Sequence, residues 1–117
     1  MTPGETRVVR RSVGDVDVVE LHGEVDFASA DEVREALCAA GAPTVVVELG
    51  EVDFIDSAGL RALDAANRDL RAAGRTLALV APPASRAAFT FRIAGFSADG
   101  VHDSVETVLR TVANRQS

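Results

Sequence analysis

Residues 45–60, V-V-V-E-L-G-E-V-D-F-I-D-S-A-G-L, constrain the fold more than any other part of the chain. Three consecutive valines lead an apolar, β-branched run that ends at Leu49. A short run of that composition suits a buried strand in a parallel sheet. A turn is expected at Gly50, after which Asp56-Ser57-Ala58-Gly59-Leu60 opens a long helix. A strand that is apolar on both faces has to be covered on both, and strand-helix alternation supplies that cover. The chain therefore reads as α/β.

The flanking segments extend this pattern. Residues 6–13 and 15–21 read as strands joined by a hairpin turn at Gly14-Asp15. His22-Gly23-Glu24-Val25-Asp26 is expected as a loop. Ser29-Ala30-Asp31-Glu32 has the S-x-x-E spacing of a capping box and opens a first helix. Val33, Leu37 and Ala40 give that helix an apolar face, and Gly41 with Pro43 stops it. The helix from Ser57 to about Ala73 carries Leu60, Leu63 and Leu70 at helical spacing, and Gly74 closes it. Residues 77–80 form the next strand, ended by Pro82-Pro83. Residues 84–94 form a third helix with Gly95-Phe96 as its stop, and Phe89, Ile93 and Phe96 are expected in the core. Val101 marks a short edge strand. Asp103-Ser104-Val105-Glu106, with Asp103 as cap, opens a last helix through Val112. The order is β-β-α-β-α-β-α-(β)-α, a mixed or mostly parallel sheet covered by helices. One domain is expected over residues 6–112, with residues 1–5 and 113–117 as flexible termini.

Composition narrows the function. Of 117 residues, 18 are acidic and 12 basic, a net charge of −6. Nucleic-acid binding calls for a basic patch, so that class is disfavoured. No run has the length of a membrane span and no amphipathic basic stretch addresses a membrane surface. The N-terminus lacks the basic-then-apolar form of a signal peptide, so a cytoplasmic location is expected. The lone Cys38 reads as a small half-buried hydrophobe. All 12 basic residues are arginine. Without lysine there is no Schiff-base chemistry, no P-loop lysine and no lysine partner for an aspartyl phosphate.

Ser57, at a helix start beside Asp56, can be a cap, a nucleophile or a phosphoacceptor. A hydrolase elbow needs a small residue two positions before the serine, and Ile55 stands there. The two candidate bases, His22 and His102, lie in no catalytic motif. Glu24, Asp26, Asp53 and Asp56 could gather at one sheet edge, but calcium-loop and zinc spacings are absent, and they read as caps and solvated carboxylates. Phosphoryl transfer through Asp53 or Asp56 would lack the acidic pair and lysine that hold metal and phosphate. No cofactor is expected.

Three motifs carry a resemblance. Gly23-Glu24-Val25-Asp26 is similar to G-E-L/V-D, residues 45–60 to a strand followed by F-I/M-D-S-S/T-G-L, and Ile93-Ala94-Gly95-Phe96 to L-x-G-L/F. All belong to the STAS domain of the bacterial anti-sigma factor antagonist type, which the chain resembles from about Thr6 to Arg110. The resemblance implies a STAS fold with helices mainly on one side of the sheet. It also implies a non-enzymatic regulator, a monomer or weak dimer, that binds an anti-sigma factor serine kinase and frees the sigma factor. Phosphorylation of the serine after the motif aspartate, here Ser57, would break the complex, and a phosphatase would restore it. The implied partner surface comprises Asp56, Ser57, Ala58, Gly59 and Arg61, with Glu24 and Asp26 at its rim. Ala58 stands where the family usually has Ser or Thr, leaving Ser57 the only hydroxyl of the motif. Arg61 stands where a small residue is usual. The alternatives are a STAS subunit of a lipid-transport ABC complex or another STAS interaction module and, further off, a small serine hydrolase.

Overall fold

A computed structural model describes residues 6–95 and 101–116. The elements run β1 (Arg7–Val13), β2 (Val16–Val25), α1 (Ala30–Ala39), β3 (Thr44–Ile55), α2 (Ser57–Ala72), β4 (Thr76–Val80), α3 (Arg86–Ala94), β5 (Val101–His102) and α4 (Val105–Gln116). They form one five-stranded sheet in the order β1-β2-β3-β4-β5. The β1–β2 hairpin is antiparallel and every other pair is parallel. This is the expected mixed sheet and element order.

Side chains alternate across the sheet and build two cores. On one face Val19, Leu21, Val45, Val47, Leu49, Leu77 and Leu79 meet Val33 and Leu37 of α1, Leu63, Ala66 and Leu70 of α2, and Ala87, Ala88 and Phe91 of α3. On the other face Val16, Val18, Val46, Ala78 and Val80 meet Val105 and Val108 of α4. Three helices thus cover one side and α4 alone covers the other. Val46 and Val47, adjacent in sequence and both fully buried, point into different cores. That is why the three valines at residues 45–47 are apolar without alternation.

Several local expectations are corrected. Residues 22–26 are not a loop: β2 continues to Val25, past register shifts between Glu20 and His22 and between Gly23 and Glu24. Gly23 has φ +87°, a conformation glycine adopts without penalty. Nor does the chain turn at Gly50, since β3 runs on to Ile55. Pairing of Val52, Phe54 and Ile55 with the end of β2 holds it extended. Ser29 precedes α1, but its side chain makes no cap bond to the helix. Ser85, not anticipated, caps α3 by accepting from the Ala88 N–H at 3.1 Å. Ser104 rather than Asp103 caps α4, accepting from the Thr107 N–H at 3.2 Å. That helix continues past Val112 to Gln116. Phe89 and Ile93 are 59% and 73% exposed, because α3 turns Ala87, Ala88 and Phe91 to the sheet. Phe96 lies outside the described residues.

Cys38 sits half-buried between α1 and α2, with its Sγ donating to Asp69 Oδ2 at 3.6 Å. Burial, reinforced by the Asp69 carboxylate, raises the thiol pKa and keeps it neutral.

Candidate functional site

β2 and β3 are parallel with Val25 opposite Ile55, so the chain leaves both strands side by side. In parallel α/β sheets the carboxyl ends of the strands are where sites form. Two segments meet there: the Asp26–Ser29 turn before α1 and Asp56 before α2.

The first turn is tied to itself. Asp26 Oδ1 accepts from the N–H groups of Ala28 (3.1 Å) and Ser29 (3.2 Å). Ser29 Oγ accepts from the Asp26 N–H at 3.0 Å and reaches the Glu24 carbonyl at 3.2 Å. The Glu24 carbonyl also accepts from the Thr6 hydroxyl. The hydroxyl expected to cap α1 instead cross-braces this turn, and Ser29 is 7% exposed.

The second segment is held by Asp56. Its Oδ1 accepts from the Gly59 N–H at 2.8 Å, capping α2 as the sequence predicts. Its Oδ2 accepts from the Phe27 N–H at 3.1 Å, and its own N–H donates to the Val25 carbonyl at 3.2 Å. One carboxylate thereby joins the α2 start to the turn after β2. Gly59 completes the joint: a Cβ there would lie 2.2 Å from the Val25 carbonyl oxygen. The first turn of α2 thus rests on the last residue of β2, an approach only glycine permits.

The expected partner residues consequently divide. Ala58 and Gly59 are buried, Asp56 is half-buried and its carboxylate engaged, and Asp26 is folded into its own turn. Ser57 and Arg61 are exposed. Ser57 is the first residue of α2, and with Asp56 serving as cap its hydroxyl is not required for the helix. Arg61 lines a shallow groove between α1 and α2 with Phe27, Ala58, Ala62, Ala65 and Arg68. Two neighbouring arginines are paired: Arg34 Nη2 with Asp69 Oδ2 at 2.8 Å, and Arg68 Nη2 with Asp64 Oδ2 at 3.5 Å. Arg61 has no ion-pair partner among the described residues.

Phe27, 83% exposed, is the feature sequence reasoning missed. A bulky aromatic in a turn between a strand and a cap was its available signal. Phe54, 52% exposed, adds apolar surface at the end of β3.

The histidines do not build a triad around Ser57. His22 Nε2 lies 2.6 Å from Glu20 Oε1 along β2, and His102 is on edge strand β5, separated from β3 by β4. Among the described residues, no group of three or more His, Cys, Asp or Glu side chains could hold a metal. No described helix is long and apolar enough to cross a membrane.

Fold and site define a small α/β domain that displays a serine at a helix start beside the exits of two parallel strands. The chain belongs to the STAS domain family, whose model matches residues 7–112. Osmosensory protein A of Mycobacterium tuberculosis is 32% identical over 97 residues, 81% of this chain. The chain spans 59% of the length of that relative. Among solved structures, an anti-sigma factor antagonist from Mycobacterium paratuberculosis superposes with a TM-score of 0.79 at 25% identity, covering 96% of this chain and 97% of that one. SpoIIAA, an anti-sigma factor antagonist solved unphosphorylated, superposes with a TM-score of 0.71 at 19% identity over 92% of this chain and 97% of its own. The Bacillus protein in its phosphorylated form gives 0.66 at 19%, over 91% and 99%. At that identity the SpoIIAA likeness speaks for the fold.

Proposed function

We propose that this protein is an anti-sigma factor antagonist. It binds an anti-sigma factor serine kinase at the α2 start and the turn after β2, releases the sigma factor, and is switched off by phosphorylation of Ser57. The observation that carries this reading is the division of labour between Asp56 and Ser57. Asp56 supplies the cap, so the adjacent hydroxyl is exposed and free to be modified. In the transfer, Ser57 Oγ forms the new bond to the γ-phosphorus of ATP, the bond to ADP breaks, and the hydroxyl proton passes to a base on the kinase.

A phosphate at a helix start is compatible with the helix, whose free N–H groups and dipole favour an anion. The switch therefore acts on the interface. A phosphoserine adds about −1.5 to −2 charges, which a contact surface packed over Ser57 and Phe27 would have to desolvate. A cost of one to a few kcal/mol is about a tenfold to few-hundredfold loss of affinity. A phosphatase acting on the exposed phosphoserine would reset the switch.

The reading is tested by incubating the protein with its cognate anti-sigma kinase and ATP and locating phosphate by mass spectrometry. Modification of Ser57 is expected, while phosphate elsewhere with Ser57 bare overturns the assignment. Ser57→Asp is expected to weaken kinase binding at least tenfold and to leave the melting temperature nearly unchanged. Loss of folding in that variant would make Ser57 a structural residue.

A further inference from the structure

Arg61 stands four residues after Ser57 on α2, and both side chains are exposed. Residues at that separation are neighbours on a helix surface, with Cβ atoms about 5–6 Å apart. An acidic group N-terminal to a basic one is the more favourable order at this spacing. Asp31 of α1 lines the same groove but forms no ion pair with Arg61, and three further carboxylates are engaged elsewhere. Asp56 spends one carboxylate oxygen on the Gly59 N–H and the other on the Phe27 N–H. Asp64 pairs with Arg68, and Asp69 with Arg34. Arg61 is left as the cation of this groove without an ion-pair partner among the described residues, above a floor of Ala58, Ala62 and Ala65.

Resting on the proposal that Ser57 is phosphorylated, we infer that Arg61 is the internal counter-ion of the phosphoserine. The guanidinium, free in the unmodified protein and available to an acidic side chain of the partner, is drawn onto the phosphate after modification. Phosphorylation then acts twice: it adds charge at Ser57 and withdraws a cation from the α1–α2 groove. An arginine suits the role because its planar fork can give a phosphate two parallel N–H donors.

The inference is tested on protein carrying phosphoserine at position 57 introduced during translation, so the outcome does not depend on the kinase. The second ionisation of the phosphate is followed by phosphorus NMR in the parent, in Arg61→Ala and in Arg61→Lys. A cation that prefers the dianion lowers this pKa, by about 0.3 unit for an ordinary pair at this spacing. The pKa is expected to be lower in the parent than in Arg61→Ala, intermediate in Arg61→Lys, and the difference to shrink in 1 M salt. Equal values in parent and Arg61→Ala overturn the inference. The contribution of the helix start is common to all three proteins and cancels. Arg61 is exposed, and circular dichroism of each variant confirms that the fold is retained. A bare Ser57 in the kinase assay would instead overturn the functional proposal while leaving this measurement intact.

Discussion

Gly59 shows how much one residue can depend on a distant neighbour. A methyl group there would meet the carbonyl oxygen of Val25 at 2.2 Å and its carbon at 2.9 Å. Both are backbone atoms at the end of a buried strand and cannot swing aside. Gly59→Ala should therefore cost about 1–3 kcal/mol as α2 shifts off β2. Urea unfolding checks this, and an unchanged midpoint would show that the helix can move freely. The motif marked Gly59 as a partner-facing residue, but its tightest contact is internal. Asp56 was legible as a cap because an N-cap is a local device, spanning three residues. Its second bond, to the Phe27 N–H, crosses between loops that only the parallel sheet brings together.

Among the elements, the hairpin and the link from α1 to β3 meet at Asp17. Ala42 N–H donates to Asp17 Oδ2 and Ser12 Oγ donates to Oδ1, each at 2.9 Å. These bonds, the Ala42 amide first, hold the carboxyl below its ordinary value of 3.8. A carboxylate depressed in the folded state contributes stability above its unfolded pKa and loses it as pH falls through the folded value. Asp17→Asn should thus be less stable than the parent at pH 7, with the gap narrowing below about pH 4. Unfolding by urea across that pH range measures the gap, and a difference independent of pH would mean that the charge is not what matters. Element types and order were legible because their periodicities are local: valine runs for strands, leucines at helical spacing in α2. The lengths of β2 and β3 were not. Gly23 and Gly50 looked like stops, and the cross-strand pairing that carries the chain through them has no local signature. The S-x-x-E of Ser29 misled for the same reason, since its hydroxyl found a better partner in the turn behind it.

For the whole molecule, two cores share one sheet. Val108 of α4, 2% exposed, belongs to the face opposite α1, α2 and α3. Val108→Ala removes the equivalent of two methylenes and leaves a void, so a loss of about 2 kcal/mol is expected. Ser57 lies across the sheet, so phosphorylation below the melting transition should proceed at the parental rate. Thermal unfolding and a kinase time course measure the two effects. A slowed time course in fully folded protein would show that the faces are coupled. That α4 would cross to the far face was not legible, because its leucine and valine stripe packs equally well against either side of a sheet.

The α/β class, the strand-helix order and the candidate serine at a helix start can be read from the chain alone, because they follow from apolar periodicity and from a cap within a few residues. That Asp56 joins two loops, that Gly59 bears on Val25, and that Phe27 and an unpaired Arg61 share a groove near Ser57 emerge only once the chain is folded. Each of those depends on the register of β2 against β3, which brings Val25 opposite Ile55. Register is set by burial and pairing across the sheet rather than by any stretch of neighbouring residues.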